Sequence, residues 1–188
     1  PELTILMPAY NEEENLPRTL PLVAEAARAQ SRSFEILVVD DGSTDRTAEI
    51  VSTLQAGEIP ELRLEKHVQN RGPGSGIKTG VAVARGDFII FIPADIAMEL
   101  SQLHRYLDAA RAGADIVVGI RSDRRDYSLR RKVNSYGYIA LVKVLYGMPQ
   151  RQFNYIHLYR RGIFEHIDIE SSGVFISAEI MIKARDLG

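Results

Sequence analysis

Short apolar runs that end in a polar loop recur along this chain. Mostly apolar residues fill positions 3–7, 35–39 and 88–92, which is the pattern of strands buried on both faces of a parallel sheet. After the first two runs, apolar residues recur at helical spacing over 16–27 and 47–54. The pattern therefore predicts an α/β domain with a mostly parallel central sheet flanked by helices.

The second run is the most informative part of the sequence. It ends in Asp40 and Asp41, and these are followed by a glycine turn and by Asp45 as the predicted N-cap of the next helix. Because open α/β sheets bind ligands at the carboxyl ends of their strands, this segment predicts a ligand site. The same aspartates also fit a simple turn and helix cap, or the phosphate-accepting site of a receiver domain.

Three further segments repeat the arrangement of a predicted strand and a chemically rich loop. The first strand runs into an acidic loop at 8–15, and the third ends in the Pro-Ala-Asp segment 93–95. A glycine-rich loop at 70–76 opens a helix predicted over 77–85, whose Gly80 allows close packing on the sheet. That loop lacks the Gly-Lys-Ser/Thr ending of a P-loop and the glycine spacing of a dinucleotide fingerprint.

With these segments in order, the chain resembles the inverting glycosyltransferases of family 2, which have the GT-A fold. It is most similar to their polyprenyl-phosphate branch, the dolichyl-phosphate mannose or glucose synthases. The matching motifs cover residues 7–13, 38–45, 70–76 and 86–95. The resemblance implies one GT-A domain over 1–188, truncated at its C-terminus, that moves a sugar from a GDP- or UDP-sugar to a polyprenyl phosphate.

The resemblance also assigns residues to the donor site. The predicted donor-binding residues are Pro8, Ala9, Tyr10, Glu12, Asp40, Asp41, Arg71, Gly72, Lys78, Ala94 and Asp95. Of these, Asp40 is expected to accept a hydrogen bond from a base N–H. Tyr10 also fits a plain packing residue, Glu12 an acid favoured in the first turn of a helix, and Lys78 a solvated helix residue.

The predicted metal site departs from the family pattern. GT-A enzymes present two aspartates separated by one residue, but the first is Pro93 here, and a nearby polar position is Ala97. Asp95 is the remaining predicted ligand for Mg²⁺ or Mn²⁺, with Glu99 as a helper, because these ions can be held by few carboxylates together with substrate phosphates. The alternatives are that cations replace the metal, or that a relative remains which binds the donor without catalysis.

A basic segment defines the predicted acceptor side. Six of the twelve residues from Arg121 to Lys132 are basic, and an apolar, tyrosine-rich helix is predicted through 136–146. In the polyprenyl-phosphate branch this segment receives the acceptor phosphate and lies at the membrane surface, so Arg121 and Arg131 join Asp95 as predicted catalytic groups. Clustered arginine suits phosphate and anionic lipid, although a charge run also fits a solvated face.

The acceptor class depends on whether a general base is present. A phosphate monoester is already anionic at neutral pH and needs none. The aspartate of members that glycosylate hydroxyls is missing from the matching segment 151–156, although Glu179 or Asp168 could serve, and Glu179 also fits an ordinary helix-surface acid. A hydroxyl acceptor, or a catalytically silent nucleotide-sugar-binding protein, are therefore the alternative functions.

Composition narrows the class further. A length of 188 residues, 45% hydrophobic content and a formal charge of −2 suit one domain with a full core and argue against a nucleic-acid partner. The chain has no cysteine, and its four histidines have no metal-ligand spacing, so core or surface roles are expected for them. The longest apolar stretch, 138–146, is far below the roughly 20 residues of a membrane span. The visible chain is therefore expected to be soluble or peripheral, and the family resemblance implies a place at the cytoplasmic face of a membrane.

Overall fold

The computed structural model describes residues 1–96, 98–120, 129–148, 153, 155–173 and 175–187, with side chains for all of these except residues 73, 129–134 and 136. One six-stranded sheet forms the centre of the described part. Its strands are β1 (Leu3–Ala9), β2 (Phe34–Asp40), β3 (Leu62–Lys66), β4 (Phe88–Phe91), β5 (Ile116–Val118) and β6 (His157–Arg160).

The order of strands in the sheet is β3-β2-β1-β4-β6-β5. The pairs among β1 to β4 are parallel, and β6 runs antiparallel to both of its neighbours. The predicted strands are confirmed, but β6 was not predicted. It has only four residues and is polar at both ends, at His157 and Arg160, so it carries no recognisable strand pattern.

Six helices flank the sheet in the described part. They are α1 (Leu16–Gln30), α2 (Thr47–Ala56), α3 (Pro73–Val83), α4 (Leu103–Arg111), α5 (Leu129–Tyr146) and α6 (Ile176–Arg185). Helix α3 corrects the prediction of a helix over 77–85. It begins four residues earlier because Gly72 takes φ 91°, which turns the chain, and a proline follows at the first helical position.

The two faces of the sheet carry separate cores, because successive strand residues point to opposite sides. Leu3, Ile5 and Met7 pack on the side that holds α1, α2 and α4, whereas Leu6 packs with residues of α3, α5 and α6. The close approach predicted for α3 is present at Gly80, where an added Cβ would lie 2.1 Å from Leu6 Cδ1. The domain is therefore a three-layer α/β/α sandwich.

This topology brings the carboxyl ends of β1, β2, β3 and β4 to one edge of the sheet, which we call the carboxyl edge. All four strands in that group are parallel, so the loops that follow them lie side by side. Among the described residues, no helix is at once long enough and apolar enough to pass through a bilayer.

Candidate functional site

The loops after β1 and β2 are joined by hydrogen bonds at the carboxyl edge. Three consecutive backbone N–H groups of the first loop donate to side chains of the second: Asn11 to Ser43 Oγ at 2.9 Å, Glu12 to Thr47 Oγ1 at 2.9 Å, and Glu13 to Asp45 Oδ2 at 3.1 Å. Asn11 takes φ 55° and accepts a return bond from Thr44 N at 3.0 Å. The two loops therefore form one hydrogen-bonded platform beside Tyr10, whose side chain is exposed.

Asp45 has a part in this platform that differs slightly from its predicted one. It lies one residue before the N-cap of α2, and its Oδ1 accepts hydrogen bonds from Thr47 N at 3.0 Å and Thr47 Oγ1 at 2.6 Å. Burial tends to raise the pKa of this carboxyl, but the bonds from Thr47 and from Glu13 N outweigh it and lower the pKa. Asp45 thus ties the start of α2 to the first loop.

Asp40 is fully buried and carries one oxygen without a donor. Its Oδ1 accepts a hydrogen bond from Ser43 N at 2.8 Å. Its Oδ2 has no hydrogen-bond partner among the described residues, and Lys66 Nζ, at 3.8 Å, is beyond hydrogen-bond reach. A buried acceptor left unpaired costs about 1–3 kcal/mol, so a donor from beyond the described residues would stabilise this oxygen.

Asp41 is buried too, but both of its oxygens have hydrogen-bond partners. Its oxygens receive the backbone N–H groups of Arg71, at 3.0 Å, and Gly72, at 2.8 Å, and the ring of His67 lies 2.6 Å from Oδ1. The predicted donor-binding Asp41 therefore lies behind the loop at 70–72 and holds that loop in place. His67 was expected to have only a core or surface role, and its 26-residue separation from Asp41 gave no local signal of this contact.

The glycine-rich loop is held from its other side by residues 170–172. Gly74 N donates to Ser172 O at 3.0 Å, and an added Cβ at Gly74 would lie 2.4 Å from Ser172 C, so only glycine fits. Lys78 Nζ donates to Glu170 O at 2.6 Å. The ammonium group predicted to bind the donor phosphates therefore already has a hydrogen-bond partner in the chain. Arg71 exposes its guanidinium, which contacts no partner within the described part.

The loop after β4 completes the edge. Ala94 is buried, and its carbonyl accepts a hydrogen bond from Thr19 Oγ1 at 2.6 Å. Asp95 is exposed and its carboxylate has no partner among the described residues, while the next residue, Ile96, takes φ 47°. Positive φ is rare for a β-branched residue, and such backbone strain is concentrated at functional sites. Ala97 lies outside the described residues.

A model of glycosyl transferase family 2 matches residues 4–168 of this chain. The chain belongs to glycosyltransferase family 2. The undecaprenyl-phosphate 4-deoxy-4-formamido-L-arabinose transferase of Photorhabdus laumondii subsp. laumondii is 34% identical over 167 residues, which cover 87% of this chain and 50% of that relative. This chain therefore spans about half the length of the curated relatives it matches, and the predicted family is confirmed.

Solved structures confirm the GT-A fold of this family 2 domain. The glucosyl-3-phosphoglycerate synthase of M. tuberculosis superimposes with a TM-score of 0.73 at 17% identity, covering 99% of this chain and 66% of that one. The mannosyltransferase PcManGT of Pyrobaculum calidifontis gives a TM-score of 0.65 at 18% identity, covering 96% of this chain and 52% of that one. PcManGT was solved in complex with GDP-Man and Mn²⁺.

The predicted metal site of a family 2 domain is reduced here to one described carboxylate. Asp95 is that carboxylate, and the helper predicted for it, Glu99, is exposed at the start of a 3₁₀ turn. Across the part of the chain that the structure describes, no three acidic or histidine side chains group as ligands for an ion. The metal site therefore stays a prediction that rests on Asp95, and an ion held there would need most of its ligands from another source.

The other predicted donor residues of the first loop lie at the same edge. Pro8 packs beside α3, where an added Cβ at Gly76 would lie 3.1 Å from Pro8 Cβ. Ala9 is buried at the end of β1, and Glu12 Oε2 accepts a hydrogen bond from Asn15 Nδ2 at 2.7 Å. The structure thus brings the predicted residues of the first loop, Asp40, Arg71 and Asp95 to one edge, as the family resemblance implies.

The acceptor side is described only in part. Arg121 lies outside the described residues, as do the side chain of Arg131 and the segment 149–152. The helix predicted through 136–146 is confirmed, but α5 begins seven residues earlier, at Leu129, so that it includes the end of the basic segment. Its C-terminal half exposes apolar side chains. They are Leu141 at 57%, Val144 at 82%, Leu145 at 63% and Tyr146 at 40% of their full area.

Glu179 is neither a helix-surface acid nor a suitable base, which corrects the interpretation made from the sequence. It is 6% exposed on α6, and its oxygens accept hydrogen bonds from Glu170 N at 2.7 Å and Ser171 N at 2.8 Å. Burial alone would raise its pKa, but these bonds and the ammonium of Lys183, at 2.9 Å, lower the pKa to about 2. Asp168, the other candidate base, is exposed.

Proposed function

We propose that this domain transfers a sugar, with inversion, from a nucleoside-diphosphate donor to a polyprenyl phosphate. The observation that carries the proposal is Asp40 Oδ2, a fully buried acceptor at the carboxyl end of a central strand that has no hydrogen-bond donor among the described residues. We call it the open oxygen of Asp40. Membership of family 2 supports the reaction class, and the name of the Photorhabdus relative, an undecaprenyl-phosphate transferase, supports the acceptor class.

The surroundings of Asp40 favour particular bases. Lys66 Nζ lies 3.8 Å from Asp40 Oδ2, so an acceptor stands beside a cationic donor. That pair matches a base edge on which a ring N–H adjoins a carbonyl, as in uracil and guanine. Cytosine and adenine present a ring nitrogen without hydrogen at that place. The arrangement therefore supports a UDP- or GDP-sugar as the donor, with the exposed ring of Tyr10 as a wall for the base.

The leaving diphosphate needs positive charge. Arg71 can supply it directly, and Asp95 can supply it by holding a divalent cation. Arg71 offers a free guanidinium directly. Asp95 fits Mg²⁺ or Mn²⁺ only together with phosphate oxygens of the donor, because one carboxylate displaces too few of the waters of the ion. A bound divalent cation would neutralise charge that develops on the leaving group. Asp95 would hold that cation, with Glu99 as its helper.

The acceptor supplies its own nucleophile. An oxygen of the polyprenyl phosphate attacks the anomeric carbon while the bond from that carbon to the donor diphosphate breaks, and the nucleoside diphosphate leaves with the bonding electrons. A phosphate monoester is anionic at neutral pH, so no side chain has to remove a proton. The low pKa of Glu179 and its full set of hydrogen bonds support this acceptor over a hydroxyl.

The exposed apolar side of α5 supports a bilayer as the place of reaction. Leu141, Val144 and Leu145 expose more than half of their area, and the basic segment 121–132 leads into and opens this helix. Apolar side chains next to clustered cations suit the interface of a membrane with anionic lipid. We propose that the domain works at the cytoplasmic face of the membrane, with Arg121 and Arg131 receiving the phosphate.

A donor and acceptor screen tests the reaction. The protein is incubated with UDP-, GDP-, CDP- and ADP-sugars and with undecaprenyl phosphate or undecaprenol in detergent, and the lipid product and released nucleotide are measured. We expect lipid-linked sugar from a UDP- or GDP-sugar with the phosphate acceptor alone. Product on undecaprenol would favour a hydroxyl acceptor, and nucleotide binding without turnover of any donor would identify a silent relative.

Vesicle sedimentation tests the membrane proposal. Binding to vesicles with anionic lipid should be strong at low salt and fall as salt screens the attraction. Val144→Glu should weaken it, whereas Val68→Glu, at an apolar side chain that is 98% exposed elsewhere, is the matched control. Arg131→Ala should lower transfer to undecaprenyl phosphate and leave nucleotide affinity intact. Equal binding by all variants at every salt concentration would contradict a bilayer-facing α5.

A further inference from the structure

Three buried or partly buried side chains form a hydrogen-bonded row beneath the glycine-rich loop. The ring of His67 lies between Asp41 and Thr79, with Nδ1 2.6 Å from Asp41 Oδ1 and Nε2 2.8 Å from Thr79 Oγ1. His67 is 6% exposed and follows the last residue of β3, while Thr79 stands in the middle of α3. The row thus connects a strand end, an aspartate and a helix.

The donors and acceptors of this row fix the direction of its central bond. Asp41 already accepts the N–H groups of Arg71 and Gly72, so both of its oxygens act as acceptors in this row. The contact at 2.6 Å therefore has His67 Nδ1–H donating to Asp41 Oδ1. The Nε2 atom is left for the hydroxyl of Thr79. Among the described residues, His67 thus supplies the one side-chain donor to Asp41, and the other donors are loop amides.

The loop at 70–72 depends on Asp41 for its position. Asn70 and Arg71 are exposed, and Gly72 has φ 91°. These residues belong to no helix or strand, so no regular backbone hydrogen bonds hold their amides. The described anchors of its amides are Asp41, and Asn70 Oδ1, which accepts from Gly72 N at 3.0 Å. A change in the orientation of the Asp41 carboxylate would therefore move the backbone that carries Arg71.

The same histidine is also tied to the oxygen-bearing end of β2. Its backbone N–H donates to Asp40 O at 2.9 Å, while its ring contacts the neighbouring Asp41. Gly42, in the turn after Asp41, packs directly against the chain that leads into the loop, since an added Cβ there would lie 2.4 Å from Gln69 C. His67 therefore contacts both Asp40, which has the unpaired oxygen, and Asp41, which holds the loop. Through these two contacts it links the position of Asp40 to that of the loop.

We propose that His67 is a positioning residue of the donor site, which sets the distance between the Asp40 oxygen and the Arg71 loop through Asp41. The inference rests on the proposed function, in which Asp40 binds the base and the loop binds the diphosphate. His67 touches neither part of the donor. It acts through the orientation of the Asp41 carboxylate, so its loss weakens contacts of the diphosphate and spares those of the base.

Two substitutions separate the two ends of the ring. Asparagine places an amide N–H where Nδ1 stands, and glutamine places one where Nε2 stands. His67→Gln should therefore lose the bond to Asp41, and we expect diphosphate affinity to fall about tenfold or more, the usual scale for a hydrogen bond to a charged group. His67→Asn should recover most of that loss, and Thr79→Val should change affinity by less than about threefold.

Calorimetry of UDP and UMP, and of GDP and GMP, is the affinity measurement. In His67→Gln the diphosphates should lose more affinity than the monophosphates, a difference that general destabilisation would not produce. His157→Asn is the matched control, since asparagine does not reach the position of Nε2 and so removes the hydrogen bond that Nε2–H of His157, a fully buried histidine on β6, donates to Phe153 O at 3.0 Å. It should lower the melting temperature and leave the ratio of diphosphate to monophosphate affinity unchanged.

Amide hydrogen exchange of the ligand-free protein tests the link without any nucleotide. His67→Gln should speed exchange at Arg71 and Gly72, and His67→Asn should restore their protection. If His67→Gln does not fold, Asp41→Asn provides the same test, because its NH₂ group opposes one loop amide. Equal effects of the glutamine and asparagine variants, or unchanged protection at Arg71 and Gly72, would overturn the role of His67. Absence of nucleotide binding by the wild type would instead overturn the proposed function, and exchange would still decide the link.

Discussion

Strand β2 carries a buried carboxylate near each end, and the two differ in how completely they are satisfied. Near the amino end, Glu35 accepts hydrogen bonds from Thr4 Oγ1 at 2.6 Å, Arg85 N at 2.7 Å and Arg63 Nη1 at 2.8 Å. At the carboxyl end, Asp40 accepts one bond from Ser43 N and leaves Oδ2 unpaired. Both side chains are almost or wholly hidden from solvent, at 5% and 0% exposure.

The difference separates an end that stabilises the fold from an end at which we propose that the donor binds. Burial tends to raise the pKa of Glu35, but hydrogen bonds from Thr4, Arg63 and Arg85 outweigh it and lower the pKa, so the fold stabilises the charged form. Asp40 keeps a buried acceptor oxygen without a hydrogen-bond donor among the described residues, which costs stability until a donor binds there. The strained backbone at Asn11 and Ile96 also lies at the carboxyl edge.

The largest effect is expected from Glu35→Ala. Removing this carboxylate leaves Arg63, which is 20% exposed, without its closest charged partner, and it leaves Thr4 without its acceptor. We expect the free energy of unfolding to fall by about 3 kcal/mol, measured by urea denaturation. Nucleotide affinity should be unchanged, since Glu35 lies at the other end of the strand.

A matched control uses the second acid that contacts Arg63. Glu65 lies 3.4 Å from Arg63 Nη2 and is 38% exposed, so Glu65→Ala should cost less than about 1 kcal/mol. Equal losses in the two variants would show that burial of Glu35 does not set its contribution.

The reverse result is expected from Asp40→Asn. The remaining carbonyl oxygen can keep the bond from Ser43 N, while an NH₂ group replaces the open acceptor. Loss of a charge-assisted bond of about 1.5–3 kcal/mol should weaken UDP or GDP binding by about tenfold to a hundredfold. Calorimetry measures this, and the melting temperature should stay within a few degrees or rise. Unchanged affinity would remove Asp40 from the donor site.

Glu179 sharpens the comparison, because it is a buried acid near the site that is fully bonded like Glu35. Its pKa is lowered to about 2 from 4.5, so its stabilising effect is complete above pH 4.5 and is lost as the pH falls toward 2. We expect the free energy of unfolding of wild type to exceed that of Glu179→Gln by about 2 kcal/mol near pH 6. This difference should shrink as the pH falls from 4.5 toward 2. Denaturation at several pH values measures it.

The control for this experiment is Glu25→Gln, at an exposed acid of α1. It should show a small difference from wild type that varies little with pH. A constant difference between wild type and Glu179→Gln from pH 7 to pH 3 would contradict the role of the ionised Glu179 carboxylate.

The smallest signal is expected from metal binding without nucleotide. Asp95 is exposed and single, so Mg²⁺ or Mn²⁺ should bind the ligand-free protein with a millimolar dissociation constant or not detectably. Addition of the nucleoside diphosphate should tighten Mn²⁺ binding in wild type and less so in Asp95→Asn. Isothermal calorimetry measures both, and tight binding by the ligand-free protein would refute the single-carboxylate site.

The sequence by itself determined the parts of this protein that depend on neighbouring residues. Strands β1, β2 and β4 and helices α1 and α2 follow from runs and spacings within about a dozen residues, and the motifs ending these strands identified family 2. The expectation of a site at the carboxyl edge followed as well, because parallel strands end on one side of a sheet. These signals are local, so one sequence is enough to see them.

Only the tertiary structure decided how the buried polar groups are paired. Asp40 and Asp41 are adjacent and look alike in sequence, yet one keeps an open oxygen and the other is filled by His67 and two loop amides. Glu179 has a helix-surface pattern and is buried by a segment that folds back over it. Hydrogen bonds between residues tens of positions apart depend on distance in space, and no periodicity along the chain records that distance.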